Sequence, residues 1–386
     1  MKTPLLDSPI EIAGAQETEL NNLNNLNNEG WLSFSRLPGW TKTQYAKGDI
    51  GRWARMPSGV RLRFATTSEK IELHVHVFRL TIKNLAEEPG PAGFDLLIDG
   101  VEHSTAQTLR GGAVRLTMDG PAVTNEEYIR GEAETISFEG LGTARKEIEI
   151  WLPSSGVVEI ESISMDQEIL VPKLDSRKKW IHYGSSISHC IEAQRPMNIW
   201  NVHASRLLDL NIRNLGLAGE CHVDGFVART IANLEADFIS LKMGINVVNA
   251  DSMRERSFVP AVHNFLDIIR EKKPTTPILV ISPICCPFHE INPGPTLIGE
   301  SGLYSEPRSH DLSHGALNLP RIRTLLEDIV SKRSDSNLHY LNGLELFSSA
   351  DAHMMPDQLH PNADGYRLMG ERFAAKQGAL VKKWIS

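Results

Sequence analysis

The hydrophobic pattern of the chain changes once, near Val171–Pro172, and this change constrains the fold more than any other feature. From Trp31 to that point, short runs alternate between apolar and polar residues, as in 60–64, 71–77 and 146–152. Such alternation is typical of antiparallel strands with one buried face, so we predict a β-sandwich of jelly-roll type. Beyond that point, short apolar runs alternate with helix-like stretches, which indicates a parallel sheet with crossover helices.

The two patterns predict two domains, and a chain of 386 residues is long enough for each domain to bury its own core. We expect three segments, namely a lead-in at 1–30, a β-sandwich at 31–172 and an α/β domain at 173–386. The Asn-rich stretch 21–28 is predicted to form a loop, because Asn side chains compete with the backbone for hydrogen bonds. Hairpin turns are predicted at Asp99–Gly100 and Asp119–Gly120, because these residue types tolerate positive φ.

In the second domain the pattern predicts strands at 179–183, 212–217, 237–243, 278–283 and 338–341. Helical spacing occurs at 202–210, 225–234, 259–272, 319–331 and 364–384. Strands and helices in alternation predict a three-layer α/β/α domain with flavodoxin-like winding. Ligands of such sheets bind outside the carboxyl ends of the strands.

Polar segments occur at four such places. They are Gly184-Ser185-Ser186-Ile187-Ser188 after the first strand, Gly216-Leu217-Ala218-Gly219 at the end of the second, Gly244-Ile245-Asn246 after the third, and Asp357-Gln358-Leu359-His360-Pro361 near the end of the chain. Because the carboxyl ends of parallel strands lie at one edge of the sheet, we expect these segments to form one site.

These segments resemble the four blocks of the SGNH/GDSL hydrolase superfamily, in the same order. The resemblance implies an SGNH hydrolase domain with Ser186 as nucleophile, the Ser186 N–H, the Gly219 N–H and the Asn246 side chain as oxyanion-hole donors, and Asp357 and His360 as the Asp-x-x-His pair. Two positions depart from the family pattern. Ser185 stands where Asp is usual, and Val247 stands where the second residue of an Asn-Asp pair is usual. Neither departure removes a catalytic atom.

The residue types also suit acyl transfer on physical grounds. A serine hydroxyl is a weak nucleophile until a base takes its proton, and a histidine with an ordinary pKa near 6.5 is suited to that task. A carboxylate at Asp357 would hold the tautomer of His360 and stabilise the imidazolium. A glycine at 219 is expected because a Cβ there would crowd the substrate oxygen. The Gly-x-Ser-x-Gly elbow of α/β-hydrolases is missing, which argues against that family.

Each segment alone has an ordinary structural interpretation. The segment 184–188 has common loop composition, and the segment 244–246 is suited to ending a strand. Asp357 is able to cap a helix beside a surface histidine. Their order at successive strand ends favours catalysis. A metal site is a further hypothesis, and it would use His182, His189, Cys190, Cys221, His222 and His289. Their spacings match no zinc pattern, so we expect neither a metal nor another cofactor.

Charge and composition narrow the choice of partners. The 40 Lys and Arg against 48 Asp and Glu give a net charge of -8, and no dense basic run occurs, so we expect neither nucleic acid nor an anionic membrane as partner. No apolar run approaches the roughly 20 residues that span a bilayer, and residues 1–16 lack the order of a secretion signal. We therefore expect a cytoplasmic protein whose four cysteines are reduced.

The sequence thus predicts a two-domain serine esterase, acting on a small-molecule or carbohydrate ester such as the acetyl ester of a sugar-like alcohol. Two alternatives stay open, an acyltransferase with the same site and a non-catalytic glycan-binding protein. Trp31, Trp40 and Trp53 suit sugar stacking, although packing is the commoner role of such residues. The stretch 286–312 is either a specificity loop or a surface excursion. No sequence signal indicates an oligomeric state.

Overall fold

The computed structural model describes residues 2–20, 30–45, 49–83, 88–119, 122–300 and 302–385. Contacts divide the chain into two compact units, the first comprising Met1–Met118, Val123–Ser176 and Ala193–Met197, and the second comprising Asp119–Ala122, Arg177–Glu192 and Asn198–Ser386. The Asn-rich stretch 21–28, which was predicted to be a loop, lies outside the described residues, and so does Gly120 of one predicted turn.

The first unit is built mainly from strands. Its described strands are β1 (Lys2–Pro4), β2 (Glu11–Ala13), β3 (Glu17–Leu20), β4 (Leu32–Ser35), β5 (Arg61–Thr66), β6 (Lys70–Ile82), β7 (Ala92–Ile98), β8 (Val101–Thr108), β9 (Gly112–Asp119), β10 (Ala122–Ile129), β11 (Glu134–Glu139), β12 (Lys146–Trp151) and β13 (Gly156–Met165). The helix α1 (Asp49–Arg55) lies between β4 and β5. Asp99 and Gly100, with φ of 50° and 79°, connect β7 to β8, which confirms that predicted turn.

Two sheets share the core of this unit. The larger sheet has the order β10-β9-β6-β13-β4-β3, with β1 beside β13 and β11 beside β6, and the smaller has the order β2-β5-β12-β7-β8. Leu62 and Phe64 of the smaller sheet belong to one buried cluster with Leu73 and Val75 of the larger sheet. The unit is therefore a two-sheet β structure, and its jelly-roll classification stays a prediction.

The described part of the predicted lead-in belongs to these sheets. The strand β1 pairs with β13, β2 pairs with β5, and β3 pairs with β4. Leu5, between β1 and β2, is 3% exposed and lies in the core. Strands of three or four residues hold too few alternating positions for periodicity to reveal them, which explains the difference from the expectation.

The second unit alternates strands with helices. Its described strands are β14 (Lys178–Gly184), β15 (Leu210–Gly216), β16 (Phe238–Lys242), β17 (Ile278–Ile281), β18 (Leu297–Gly299), β19 (Gly302–Tyr304) and β20 (Leu338–Leu341). Its described helices are α2 (Ser186–His189), α3 (Trp200–Leu207), α4 (Gly225–Asn233), α5 (Ile245–Asn249), α6 (Glu255–Lys272), α7 (His310–Ser313), α8 (Leu319–Lys332) and α9 (Ala363–Ile385). All the predicted strands and helices of this part are present. The stretch 286–312, predicted as a loop, contains the β18–β19 hairpin and begins α7.

A parallel sheet forms the middle layer of the second unit. Its order is β15-β14-β16-β17-β20, which is the flavodoxin-like winding. Successive side chains of β14 point to opposite faces, and both faces are covered by helices. Trp180 stacks on Phe373 of α9 with ring centroids 5.2 Å apart, and Tyr183 stacks on Phe265 of α6 with centroids 5.4 Å apart. The carboxyl ends of β14, β15 and β16 consequently meet at one edge of the sheet.

No helix in the described part of the chain combines the length and the apolar character that crossing a membrane requires.

Candidate active site

A sharp turn from β14 into α2 presents Ser186. The strand ends at Gly184, and Ser185 is the N-cap of α2, with its Oγ accepting a hydrogen bond from the N–H of Ile187 at 3.3 Å. Ser186 is therefore the first residue of α2, and it is 8% exposed. Serine caps helices about as well as aspartate does, so the departure at position 185 keeps the local geometry.

Two strand-end glycines allow α2 to lie close to the sheet. A Cβ on Gly184 would be 2.2 Å from Ser188 Oγ. A Cβ on Gly216 would be 2.5 Å from the backbone nitrogen of His189 and 2.6 Å from the carbonyl carbon of Ser188. Because the contacts of Gly216 are with backbone atoms, a larger residue there would have to displace α2.

A fully buried polar network holds α2 from below. The carbonyl of Ser188 accepts hydrogen bonds from the side-chain amides of Asn201 and Asn214, at 2.9 and 2.8 Å. The two ring nitrogens of His182 lie 2.7 Å from Ser188 Oγ and 2.7 Å from Ser240 Oγ. Burial lowers the pKa of His182 well below 6.5, so its ring is neutral and takes a structural position.

The structure brings Ser186, His360 and Asp357 into one hydrogen-bonded chain. His360 Nε2 lies 2.8 Å from Ser186 Oγ, and His360 Nδ1 lies 2.6 Å from Asp357 Oδ2. In the neutral tautomer with the proton on Nδ1, the Nδ1–H donates to Asp357 and Nε2 accepts from the Ser186 hydroxyl. This arrangement is able to move a proton from the serine to the imidazole.

A tight turn fixes Asp357 beside His360. Asp357 Oδ1 accepts hydrogen bonds from the backbone N–H groups of Leu359 and His360, at 2.9 and 2.7 Å. Gln358 has a φ of 62°, a left-handed conformation that folds the chain back within the motif. One carboxylate therefore holds both the turn and the imidazole.

The pKa of Asp357 is lowered and the pKa of His360 is raised from their ordinary values. Burial acts to raise the pKa of Asp357, but the hydrogen bond and charge of His360, with the backbone N–H donors, lower it to about 2. Burial acts to lower the pKa of His360, but the negative charge of Glu192 and the hydrogen bond and charge of Asp357 raise it to about 9. The resting imidazole is therefore mostly protonated at neutral pH.

Gly219 and Asn246 lie in the segments after β15 and β16. The Asn246 side-chain oxygen accepts a hydrogen bond from the Cys221 N–H at 3.0 Å, which connects the two segments and orients the amide. Among the described residues, neither Asn246 Nδ2 nor the Gly219 N–H has an acceptor. Both donors therefore remain for a ligand.

The backbone conformation gives a further reason for glycine at 219, and the expected close approach to a substrate oxygen stays a prediction. A Cβ at this position would have no protein atom within 4 Å among the described residues, so crowding by the protein is not the constraint. The φ of Gly219 is 75°, a conformation that L-residues adopt at a cost.

The sequence did not reveal Glu192 and Tyr366. Glu192 Oε1 lies 3.9 Å from His360 Nδ1, and the hydroxyl of Tyr366 donates a hydrogen bond to Glu192 Oε2 at 2.8 Å. Glu192 follows α2 in a short 3₁₀ turn, Ile191–Ala193, and Tyr366 lies in the first turn of α9. Neither residue belongs to a recognised block, so their contact follows only from the fold.

The residues of the metal hypothesis have other contacts. His289 Nε2 lies 2.8 Å from Thr296 Oγ1, and His222 Nδ1 lies 2.9 Å from Ser252 Oγ. Across the ranges that the structure describes, His, Cys, Asp and Glu side chains form no cluster of three that could hold a metal ion. The four cysteines are buried and unbridged.

The tryptophans of the first unit differ in exposure. Trp31 and Trp53 are 9% and 8% exposed, whereas Trp40 is 45% exposed. Trp31 packs against His74 at a centroid distance of 5.3 Å, within its own unit. Trp31 and Trp53 therefore take the packing role, and Trp40 alone of the three presents a large surface to solvent.

Part of the second unit matches the sequence model of a known family. Residues 177–293 match the sequence model of the GDSL-like Lipase/Acylhydrolase family. This part of the chain is thus a GDSL-like domain, which confirms the resemblance found in the sequence. A comparison with curated protein sequences gave no match.

Solved structures share the fold over the whole chain. A salicylyl-acyltransferase, SsfX3, from a tetracycline biosynthetic pathway is 24% identical with a TM-score of 0.78, over 98% of this chain and 97% of its own. A Bacteroides ovatus ATCC 8483 protein assigned as a GDSL-like lipase is 20% identical with a TM-score of 0.67, over 99% and 98%. A family two carbohydrate esterase from Cellvibrio japonicus is 12% identical with a TM-score of 0.58, over 100% and 99%. At these identities the likeness is one of fold.

Replacing Gly216 with alanine tests how the nucleophile turn is held. We expect Gly216→Ala to lower the free energy of unfolding by about 1–3 kcal/mol, because the new Cβ overlaps the backbone of α2. The labelling of Ser186 by a fluorophosphonate should also slow. Urea unfolding and labelling kinetics measure the two effects. Gly225→Ala is the control, because its Cβ would come no closer than 3.4 Å to a side-chain atom. Wild-type behaviour of Gly216→Ala would contradict this account of the turn.

Proposed function

We propose that this protein is a serine-dependent carboxylic ester hydrolase that works through an acyl-enzyme on Ser186. The observation that carries the proposal is the chain of hydrogen bonds from Ser186 Oγ through the His360 ring to Asp357, with distances of 2.8 and 2.6 Å. A hydroxyl, an imidazole and a carboxylate in this order form the serine-hydrolase triad.

In the first half-reaction, Ser186 Oγ attacks the ester carbonyl carbon while its proton passes to His360 Nε2. The tetrahedral intermediate collapses as the bond to the alcohol oxygen breaks, and His360 returns the proton to the leaving alcohol. Asp357 stays ionised and stabilises the imidazolium, in keeping with its pKa of about 2.

The oxyanion of the intermediate requires donors that are in place before the reaction. We assign the backbone N–H groups of Ser186 and Gly219 and the side-chain amide of Asn246. Asn246 is 1% exposed, and its side-chain amide is oriented by the hydrogen bond that its oxygen accepts from the Cys221 N–H. Loss of one such donor costs about 2.7–4 kcal/mol in the barrier.

In the second half-reaction a water molecule attacks the acyl carbon. His360 takes a proton from the water, the bond between the acyl carbon and Ser186 Oγ breaks, and the proton passes back to the serine. The products are one alcohol and one carboxylic acid, and the enzyme returns to its starting state without a cofactor.

The substrate class we propose is a small acyl ester of a sugar-like alcohol. Support comes from the shared fold with a family two carbohydrate esterase over essentially the whole chain. Trp40, which is 45% exposed in the first unit, is a candidate for stacking on a sugar ring.

Acyl transfer is the second candidate function. The structure with the higher TM-score of 0.78 is that of an acyltransferase, and its identity of 24% leaves its activity a hypothesis for this chain. The acyl-enzyme is the same in both reactions, and an acceptor alcohol would replace water in the second step.

Replacing Ser186 with alanine tests the nucleophile. We expect Ser186→Ala to lower kcat on a chromogenic acetate ester by about 10⁴-fold or more, because the acyl-enzyme can no longer form. Steady-state kinetics measure the loss. Ser331→Ala, at an exposed serine of α8, is the control and should retain wild-type turnover. Equal, background-level turnover by wild type and Ser186→Ala would favour the non-catalytic glycan-binding alternative.

The pH dependence tests the base. Only the neutral imidazole accepts the serine proton, and the pKa of His360 is about 9, so kcat/KM should rise about tenfold per pH unit below that value and level off above it. Rates are measured from about pH 6 to about pH 10, with Ser186→Ala as the blank for spontaneous hydrolysis at each pH. A flat profile between about pH 6 and about pH 9 would contradict the assignment of His360 as the base.

The fate of the acyl group separates hydrolysis from transfer. With an activated acetate ester and added sugar alcohols, we expect one equivalent of acetic acid per equivalent of leaving group, at a rate that the acceptors do not change. Chromatography of the products measures the partition. If most of the acyl group appeared in a new ester of an added alcohol, acyl transfer would replace hydrolysis as the proposed function.

A further inference from the structure

The catalytic imidazole faces a second carboxylate besides that of Asp357. Glu192 Oε1 lies 3.9 Å from His360 Nδ1, whereas Asp357 Oδ2 lies 2.6 Å from the same nitrogen. The longer distance is beyond a hydrogen bond, so Glu192 acts on the ring through its charge alone. The side chain of Glu192 is 37% exposed and that of His360 is 18% exposed, so solvent screens their attraction only in part.

A buried tyrosine holds Glu192 in this place. Tyr366 is 0% exposed, and its hydroxyl donates a hydrogen bond of 2.8 Å to Glu192 Oε2. Burial, followed by the negative charge of Glu192, raises the pKa of Tyr366 well above 10, so the hydroxyl keeps its proton and remains a donor. One carboxylate oxygen is therefore tied to Tyr366, and the other is directed towards His360.

We infer that Glu192 is a positioning residue of the proposed esterase, whose carboxylate, held by Tyr366, stabilises the protonated form of His360 together with Asp357. The inference rests on the proposed function. Asp357 sets the orientation of the ring through a hydrogen bond, and Glu192 adds negative charge without constraining the ring.

In the described part of the chain, Glu192 and Asp357 are the charged groups that act on His360. Ser186 contacts Nε2 as a neutral hydroxyl. Burial raises the pKa values of Cys190, which interacts with Glu192, and of Cys286, which interacts with Asp357, so both thiols stay neutral. Burial opposes protonation of His360, and the charge of Glu192 and the hydrogen bond and charge of Asp357 favour it.

This arrangement has opposite effects at low and high pH. A second negative charge keeps His360 protonated up to a higher pH, which reduces the amount of free base at neutral pH. The same charge stabilises the imidazolium that forms when the serine attacks, which favours the rate once the base is free. Removing the charge of Glu192 should therefore move the rising limb of the pH profile to lower pH and lower the rate at its plateau.

The experiment measures kcat/KM against pH for wild type, Glu192→Gln, Tyr366→Phe and Glu271→Gln. Glutamine keeps the shape of Glu192 and removes its charge, and Glu271 is an exposed residue of α6 that serves as the matched control. We expect Glu192→Gln to shift the rising limb of the kcat/KM profile to lower pH by about 1 unit and to lower its plateau by at most about tenfold. Tyr366→Phe should shift the limb in the same direction by less.

The double variant and a conservative replacement separate positioning from general damage. In Glu192→Gln/Tyr366→Phe the limb should coincide with that of Glu192→Gln, because Tyr366 acts only through Glu192. Glu192→Asp should recover part of the shift, since it keeps the charge. A limb for Glu192→Gln that superimposes on wild type and Glu271→Gln, in an enzyme that turns over the ester, would overturn the inference and leave the esterase intact.

An NMR titration of His360 makes the inference independent of turnover. The ring signal is assigned by its loss in His360→Gln, and its titration is followed in wild type and Glu192→Gln. A downward shift of the His360 pKa in the variant is expected, and equal titration in both would overturn the inference. Absence of ester turnover in the wild type would count against the proposed function alone, because the titration still reports the charge of Glu192.

Discussion

Two hydrogen bonds to one imidazole are the interaction on which the site depends. Ser186 and His360 are 174 positions apart, and their 2.8 Å contact exists only because β14 and the segment before α9 end at the same edge of the sheet. The second bond, to Asp357, is local and comes from the turn of the motif itself. The contact between Ser186 and His360 therefore depends on the fold, and the contact between His360 and Asp357 orients the ring.

The sheet supports Ser186 and the short helix α2 through buried polar contacts as well as apolar packing. Three buried side chains, His182, Asn201 and Asn214, bond to Ser188, two residues after the serine that the site presents. Buried polar groups are costly unless paired, so such a network selects one arrangement of α2 over alternatives. Glycine at 216 is also required for this arrangement, because the backbone of α2 occupies the space that a side chain at position 216 would fill.

Much of the second unit was predictable, and the reasons are physical. Its five sheet strands and long helices carry strong periodicity, and the strand-end rule then placed the polar segments at one edge. The sequence also led to the Asp357–His360 pair, since three residues on a turn bring their side chains together. The short strands β1–β3 were missed because three or four residues do not define a period. Glu192 and Tyr366 were missed because their contact joins residues 174 positions apart outside any motif.

A structure with a phosphonate ester inhibitor tests most directly whether Ser186, His360, Gly219 and Asn246 act on one reacting group. We expect a covalent bond from phosphorus to Ser186 Oγ, with His360 Nε2 within hydrogen-bonding distance of the Ser186 oxygen. The phosphonyl oxygen should lie about 2.7–3.1 Å from the backbone nitrogen of Gly219 and from Asn246 Nδ2. Phosphorus bonded to a different residue, or a phosphonyl oxygen directed away from Gly219 and Asn246, would contradict this expectation.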